Sequence, residues 1–203
     1  MRDKRLKRGF FIRPTIIVSK ALLGKFLIHE YRGQILSGMI VETEAYIGEK
    51  DKAAHSYGGR RTIRNEVEYG PGGYVYIYLV YGLHHQLNFV TAGTDQPECV
   101  LIRALEPAEG IEVMKNNRKT GKLSNLTNGP GKLCQALALD RSLNGHDLTA
   151  KGSDFYIEDR GVKISPKRIK KGPRIGIDYA GPYWSRVHWR FWIKDNPFVS
   201  KPK

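Results

Sequence analysis

Cys99 and Cys134 are the only cysteines in 203 residues, and each stands in its own apolar context, Glu98-Cys99-Val100 and Leu133-Cys134-Gln135. With no CxxC pair there is no metal-ligand spacing and no disulfide framework, and both read as buried free thiols. Long hydrophobic runs are also missing. The stretch 10–18, which follows the basic segment 2–8, is broken by Arg13 and Pro14, so neither a secretion signal nor a membrane span is expected. There is no Walker A motif, because Gly129-Pro130-Gly131-Lys132 is followed by Leu133 and lacks the preceding glycine spacing; ATP use is not expected. The adjacent His84 and His85 face opposite ways on a strand, and no HxE…CxxC pattern accompanies them, so the expectation is no metal and no other cofactor. Acidic residues are scarce, 20 against 34 Lys and Arg, for a formal net charge of +14. That excess favours a polyanionic partner, nucleic acid first, with plain solubility or contact with an anionic membrane as the blander readings. A reducing compartment containing DNA is the expected location: cytoplasmic, at the nucleoid, in a bacterium, or nuclear in a eukaryote.

What is present is an ordinary globular composition, 40% apolar and 27% charged, with no internal repeat, low-complexity tract or linker. A single domain over residues 1–203 is expected. Apolar spacing over 15–23 followed by Gly24 predicts a helix. Residues 25–31 and 35–46, separated by Arg32-Gly33-Gln34, predict a hairpin. Strand alternation would put Ile40, Glu42, Glu44 and Tyr46 on one face and Val41, Thr43 and Ala45 on the other. Residues 48–73 are irregular and basic, which suits a surface loop with phosphate contacts. Tyrosines alternate with aliphatic residues over 74–81, a strong strand signal, and Gly82 permits a reversal into strands at 86–90 and 100–104. Helices are expected from Pro107 to near Asn117 and after Asn128-Gly129-Pro130-Gly131, with a charged loop at 115–122 and late strands at 174–177 and 189–193. The Gly129-Pro130-Gly131-Lys132 turn also suits a helix-hairpin-helix, although 124–127 is short for its first helix. Strands predominate without βαβ alternation. The fold class is therefore α+β: one compact domain with a curved, mainly antiparallel β-sheet flanked by helices and a protruding β-hairpin.

Several long motifs follow one another along the chain: Val41-Glu42-Thr43-Glu44-Ala45-Tyr46, Ala53-Ala54-His55-Ser56, Tyr78-Leu79-Val80-Tyr81-Gly82, Leu87-Asn88, residues 100–107, residues 129–137 and Pro197-Phe198-Val199-Ser200. In this order they closely resemble the alkyladenine (3-methyladenine) DNA glycosylase family, the methylpurine glycosylases without a helix-hairpin-helix. The resemblance spans almost the whole chain. It implies a monofunctional enzyme that flips alkylated or deaminated purines out of double-stranded DNA, hydrolyses the N-glycosidic bond and leaves an abasic site. A monomer is expected.

By that resemblance Glu44 is the catalytic residue, the general base that activates the attacking water. Glu42 shares its expected face, so strand physics alone does not choose between the two acids; the motif register selects Glu44. Tyr46, His55, Tyr78 and Asn88 match base-pocket positions, with Asn88 opposing the 2-amino group of normal guanine. Tyr81 matches the side chain that intercalates into DNA, and Arg103 a residue near the flipped nucleotide's phosphate. Arg60, Arg64 and Lys132 are candidates for neighbouring phosphates on charge alone. Residues 83–85 depart from the family pattern and 115–126 do not align, which leaves lesion preference open. From the residues alone, a non-catalytic nucleic-acid-binding module and a metal-free nuclease using Glu44 and His55 stand as alternatives.

Overall fold

The longest strands organise the molecule, whose computed structural model describes residues 4–201. Residues 1–3 of the basic N-terminal segment, and 202–203, lie outside that range. Strand β1 (Phe26–Tyr31) turns through Arg32 and Gly33, both at positive φ, into β2 (Gln34–Tyr46), with Tyr31 opposite Gln34. This is the hairpin expected from the residue pattern. Strand β2 continues well past the end of β1. Its first half pairs with β1, its far end pairs with β8 (Arg190–Ile193) over Glu42–Glu44, and β5 (Glu98–Glu109) runs along its other side. Strands β3 (Val75–Val80) and β4 (His84–Thr91) continue the sheet beyond β5, β6 (Phe155–Glu158) closes the β1 side and β7 (Ile169–Gly172) pairs with β8. Every pairing is antiparallel.

The β2–β5 register slips between Ser37 and Gly38 and twice between Ile40 and Thr43. Such bulges bend a strand and increase its twist, which curves the sheet. They also change the expected facing. Ile40 packs in the main apolar cluster with Val41 and Ala45, so it does not share the side-chain direction of Glu42 and Glu44. The cluster is completed by Val18 of α2 (Thr15–Ala21), by Leu22 just past its end, and by Leu133 and Ala136 of α4 (Pro130–Ala136). Each fully buried Val, Leu or Ile side chain in it contributes about 1.5–3 kcal/mol. Both cysteines are buried free thiols, as expected.

Two expected elements are different. Pro107 does not open a helix; it lies in β5 opposite Gly38, and α3 (Ile111–Arg118) starts only after Gly110. Beyond Leu101, β5 has no β4 partner, so a residue without an N–H fits there at little cost. Gly110 has φ +73, and a Cβ at this position would stand 2.4 Å from Leu36 Cδ2 and 2.6 Å from the Ile35 carbonyl oxygen. The chain can turn there only as glycine. Residues 174–177 are not a strand either. Pro173 ends the extended run, Gly176 takes φ +77, and the polar groups of Arg174 and Ile175 go to the chemistry described below. The β3–β4 hairpin is present, with Val80 opposite His84 and a tight turn in which Tyr81 (φ +52) and Gly82 (φ +68) both adopt positive φ. No helix among the described residues is long and apolar enough to cross a membrane.

Candidate active site

At the far end of β2 two acids are completely buried, and the neighbouring strands and loops supply their partners. Glu42 Oε1 accepts from Arg190 (3.0 Å), Arg103 Nε (3.3 Å) and the Ser200 hydroxyl (2.9 Å), while Oε2 accepts from the Ser200 N–H (2.7 Å). That carboxylate takes four donors, three on Oε1 and one on Oε2. Glu44 is held differently. Its Oε1 accepts only the Ile175 N–H (2.8 Å), and its Oε2 takes the Tyr46 hydroxyl (3.0 Å) and Arg103 Nη1 (3.3 Å). Glu44 thus takes three donors where Glu42 takes four, and each acid has one oxygen with a single backbone donor.

Arg103 bridges both carboxylates. Burial pushes its pKa down, but Glu44 and Glu42 outweigh that and hold it above the usual range. Tyr46 is shifted well up, first by burial and then by the Glu44 charge, so its hydroxyl remains a donor. Arg174, buried among these groups, pairs with the carboxylate of Asp51 (2.5 and 2.8 Å) and with the Ala45 carbonyl oxygen (3.0 Å). Its guanidinium lies 4.7 Å from the Tyr46 ring centroid and 5.1 Å from that of Trp189. This ion pair fixes the loop that delivers the Ile175 N–H to Glu44.

Tyr46, Arg103 and Ile175 also form part of the wall of a cleft of about 650 Å³, so Glu44 stands directly behind that wall. The volume suits a small organic group such as a nucleobase. His55, Tyr78, Asn88, Arg64 and, at the rim, Tyr81 line the same cleft. The His55 and Tyr78 rings are 4.6 Å apart at 70°, an edge-to-face arrangement, and Tyr76 lies 5.1 Å from Tyr78. Burial, helped by Arg64, pushes the His55 pKa down to about 4, so the ring is neutral at neutral pH; its Nδ1 is 2.7 Å from the Tyr76 hydroxyl. Burial raises the Tyr76 and Tyr78 hydroxyls as well. The aromatic lining is thus uncharged. The amide group of Asn88 donates to the Tyr76 and Gln86 carbonyl oxygens (3.2 and 3.3 Å). Tyr81 is 91% exposed at the hairpin tip, beside Leu83 at 77%.

The basic candidates are not brought together as a set. Arg64 is exposed, with its guanidinium 5.2 Å from the Tyr78 ring centroid. Arg60 is exposed away from the cleft lining, and its carbonyl oxygen accepts from Asn65 and Tyr69. Lys132 is half-buried and donates to the side-chain oxygens of Asn125 (2.6 Å) and Asn128 (2.8 Å), pinning the turn before α4. Arg103 is 6% exposed and bound to acids, so its charge is shared with Glu42 and Glu44. Four participants escaped sequence reasoning: Tyr76, Glu68, Ile175 and the Arg174–Asp51 pair. Tyr76 shares strand parity with Tyr78, a signal that was legible. The others come from loops and from the short helical turn Glu66–Tyr69, where no periodicity marks them.

Residues 9–197 match the model of the methylpurine-DNA glycosylase family. The chain is 48% identical to a "Putative 3-methyladenine DNA glycosylase" of Desulfitobacterium hafniense, over 97% of this chain and 98% of that protein. It is 47% identical to a protein of the same name from Natranaerobius thermophilus, over 97% and 98%. A third of that name, from Bacillus cytotoxicus, is 49% identical over 95% and 97%. With agreement on this scale across nearly all of each chain, the protein belongs to the methylpurine-DNA glycosylase family.

Proposed function

We propose that this DNA glycosylase flips an alkylated or deaminated purine, 3-methyladenine among them, out of duplex DNA into the aromatic cleft and hydrolyses its glycosidic bond with a Glu44-activated water. The observation that carries the reading is the adjacency of Glu44 to a neutral aromatic cleft of nucleobase size. In the step, the water oxygen bonds to C1′ and its proton passes to Glu44, while the C1′–N bond breaks and its electron pair returns to the purine. The carboxylate also stabilises the positive charge developing on the sugar. A purine methylated at N3 or N7 carries a positive charge before cleavage, so it leaves as a neutral base. A neutral deaminated purine needs a proton as it leaves.

Because water rather than an amine attacks, the product is an abasic site in an unbroken strand. Tyr81, projecting from the hairpin tip, fills the gap left by the flipped nucleotide, and Arg103, Arg64, Arg60 and Lys132 supply positive charge toward the backbone. Asn88 crowds the 2-amino group of an unmodified guanine. We expect a monomer that works in a reducing compartment containing DNA, at the bacterial nucleoid or in a eukaryotic nucleus.

The test is single-turnover excision from methylated duplex DNA, with and without hot alkali. Glu44→Gln should lower the rate by ~10²–10⁴-fold while lesion binding persists. Strand breaks without alkali, or a Glu44→Gln variant that excises normally, overturn the reading.

A further inference from the structure

Four acids are buried among the described residues: Glu42, Glu44, Asp51 and Glu68. Three of them are matched to guanidinium groups, Glu42 to Arg103 and Arg190, Glu44 to Arg103, and Asp51 to Arg174. Glu68 is the exception. It sits 2% exposed on the short helical turn Glu66–Tyr69 and forms no ion pair with any described residue. Its oxygens have two long, neutral donors, the Asn65 amide at 3.3 Å and the Cys99 thiol at 3.5 Å. A buried carboxylate without a cation is costly, and such a group calls for a partner that the fold itself does not provide.

The position of Glu68 says where that partner would stand. It lines the cleft together with Tyr76, Tyr78, Asn88 and Cys99. The rings there are neutral, since burial holds His55 down and the tyrosine hydroxyls up. An aromatic enclosure with one acid is the arrangement that recognises organic cations, because the ring faces and the carboxylate attract the same charge. We propose that the Glu68 carboxylate is a counter-charge within the cleft that selects positively charged alkylpurines over neutral purines of the same shape. This rests on the reading that a flipped base enters the cleft.

The kinetic consequence is specific. The purine loses its positive charge as the glycosidic bond breaks, so a counter-charge strengthens binding of the intact nucleotide and does not assist bond cleavage. Glu68 therefore acts on the half-saturating enzyme concentration and leaves the saturated rate unreduced. Burial also pushes the Glu68 pKa up to about 7, opposed by Asn65, Cys99 and Arg64. The other titratable groups around it are Tyr69, Tyr76 and Tyr78, whose pKa values are raised, like that of Cys99. None of these loses a proton before Glu68 does. Cation binding should tighten as pH rises through about 7 and the carboxylate ionises.

The experiment compares wild type with Glu68→Gln, an uncharged variant of nearly the same shape. It measures single-turnover release of 3-methyladenine from methylated duplex DNA, and binding to a duplex carrying 3-deaza-3-methyladenine, which has the shape of the lesion without its charge. The expected result for Glu68→Gln is a half-saturating concentration raised roughly 10-fold on the cationic lesion, with the saturated rate no lower and binding of the neutral duplex within about twofold. For wild type alone the half-saturating concentration should fall roughly 10-fold from pH 6 to pH 8, and this trend should be absent in Glu68→Gln. Equal losses on both duplexes, a reduced saturated rate, or a wild-type pH trend retained in the variant overturns the counter-charge. Normal wild-type excision in those cases leaves the flipping reading intact; a wild type that binds both duplexes and releases no base overturns that reading and this inference with it.

Discussion

Arg103 lies between two acids that look alike in the sequence and are different in the structure. Glu42 is held by Arg103, Arg190 and both donors of Ser200, of which only Arg103 lines the cleft, whereas all three partners of Glu44, Tyr46, Arg103 and Ile175, line it. The first is an anchor that ties the segment near Ser200 and β8 to β2; the second borders the cleft. Removing Glu42 leaves Arg190 and one side of Arg103 buried without compensation. Glu42→Ala should therefore cost about 3–5 kcal/mol in guanidinium denaturation, and a loss below about 1 kcal/mol would show that the ion cluster does not hold this end of the sheet. Both acids were legible as a same-face pair from strand parity, and the family motif register chose Glu44. The distinction in their partners was not legible, because those partners arrive from residues 103, 175, 190 and 200.

Among the elements, the β3–β4 hairpin was the clearest in advance, since alternation of tyrosine with aliphatic residues and a glycine at the reversal are purely local signals. Its tip puts Tyr81 almost fully in solvent at φ +52, where the side chain contributes little to folding. Tyr81→Ser should weaken excision from lesion-containing duplex several-fold while changing stability by less than about 0.5 kcal/mol. Measuring both on one preparation is decisive: unchanged excision removes the wedge, and a large stability loss shows that Tyr81 packs after all. Local signals failed where tertiary pairing overrode them. Pro107 looked like a helix start, yet β5 extends through it because that side of the strand has no partner to receive an N–H. Residues 174–177 read as strand-forming, but Arg174 is drawn to Asp51 and the Ile175 N–H to Glu44, so the segment crosses the acid instead of joining the sheet.

On the scale of the whole molecule, the net charge of +14 acts through the solvent. Each phosphate neutralised by Lys or Arg releases counterions, so duplex affinity should fall by roughly 10³-fold or more between 50 and 200 mM salt if six or more contacts form. Titration of an undamaged duplex across that range checks it, and a nearly flat response would deny an extended phosphate footprint. On the proposed function the lesion is held inside the cleft, out of reach of salt, so excision at saturating enzyme should vary much less.

Local chemistry in the residue order was enough for the α+β class, the two hairpins, the free thiols, the basic character and, through colinear motifs, the family and its candidate acid. Those features depend on neighbours in sequence, on side-chain alternation or on total charge. Folding alone decided which acid is held by cleft-lining partners and which by the Arg190 and Ser200 anchor, that Ile175 and Arg174 belong to the site, that Lys132 is engaged by Asn125 and Asn128, and that Glu68 is buried at the cleft without a cation. Each of these is set by groups far apart along the chain meeting where water has been excluded, and burial of that kind leaves no periodic trace in the sequence.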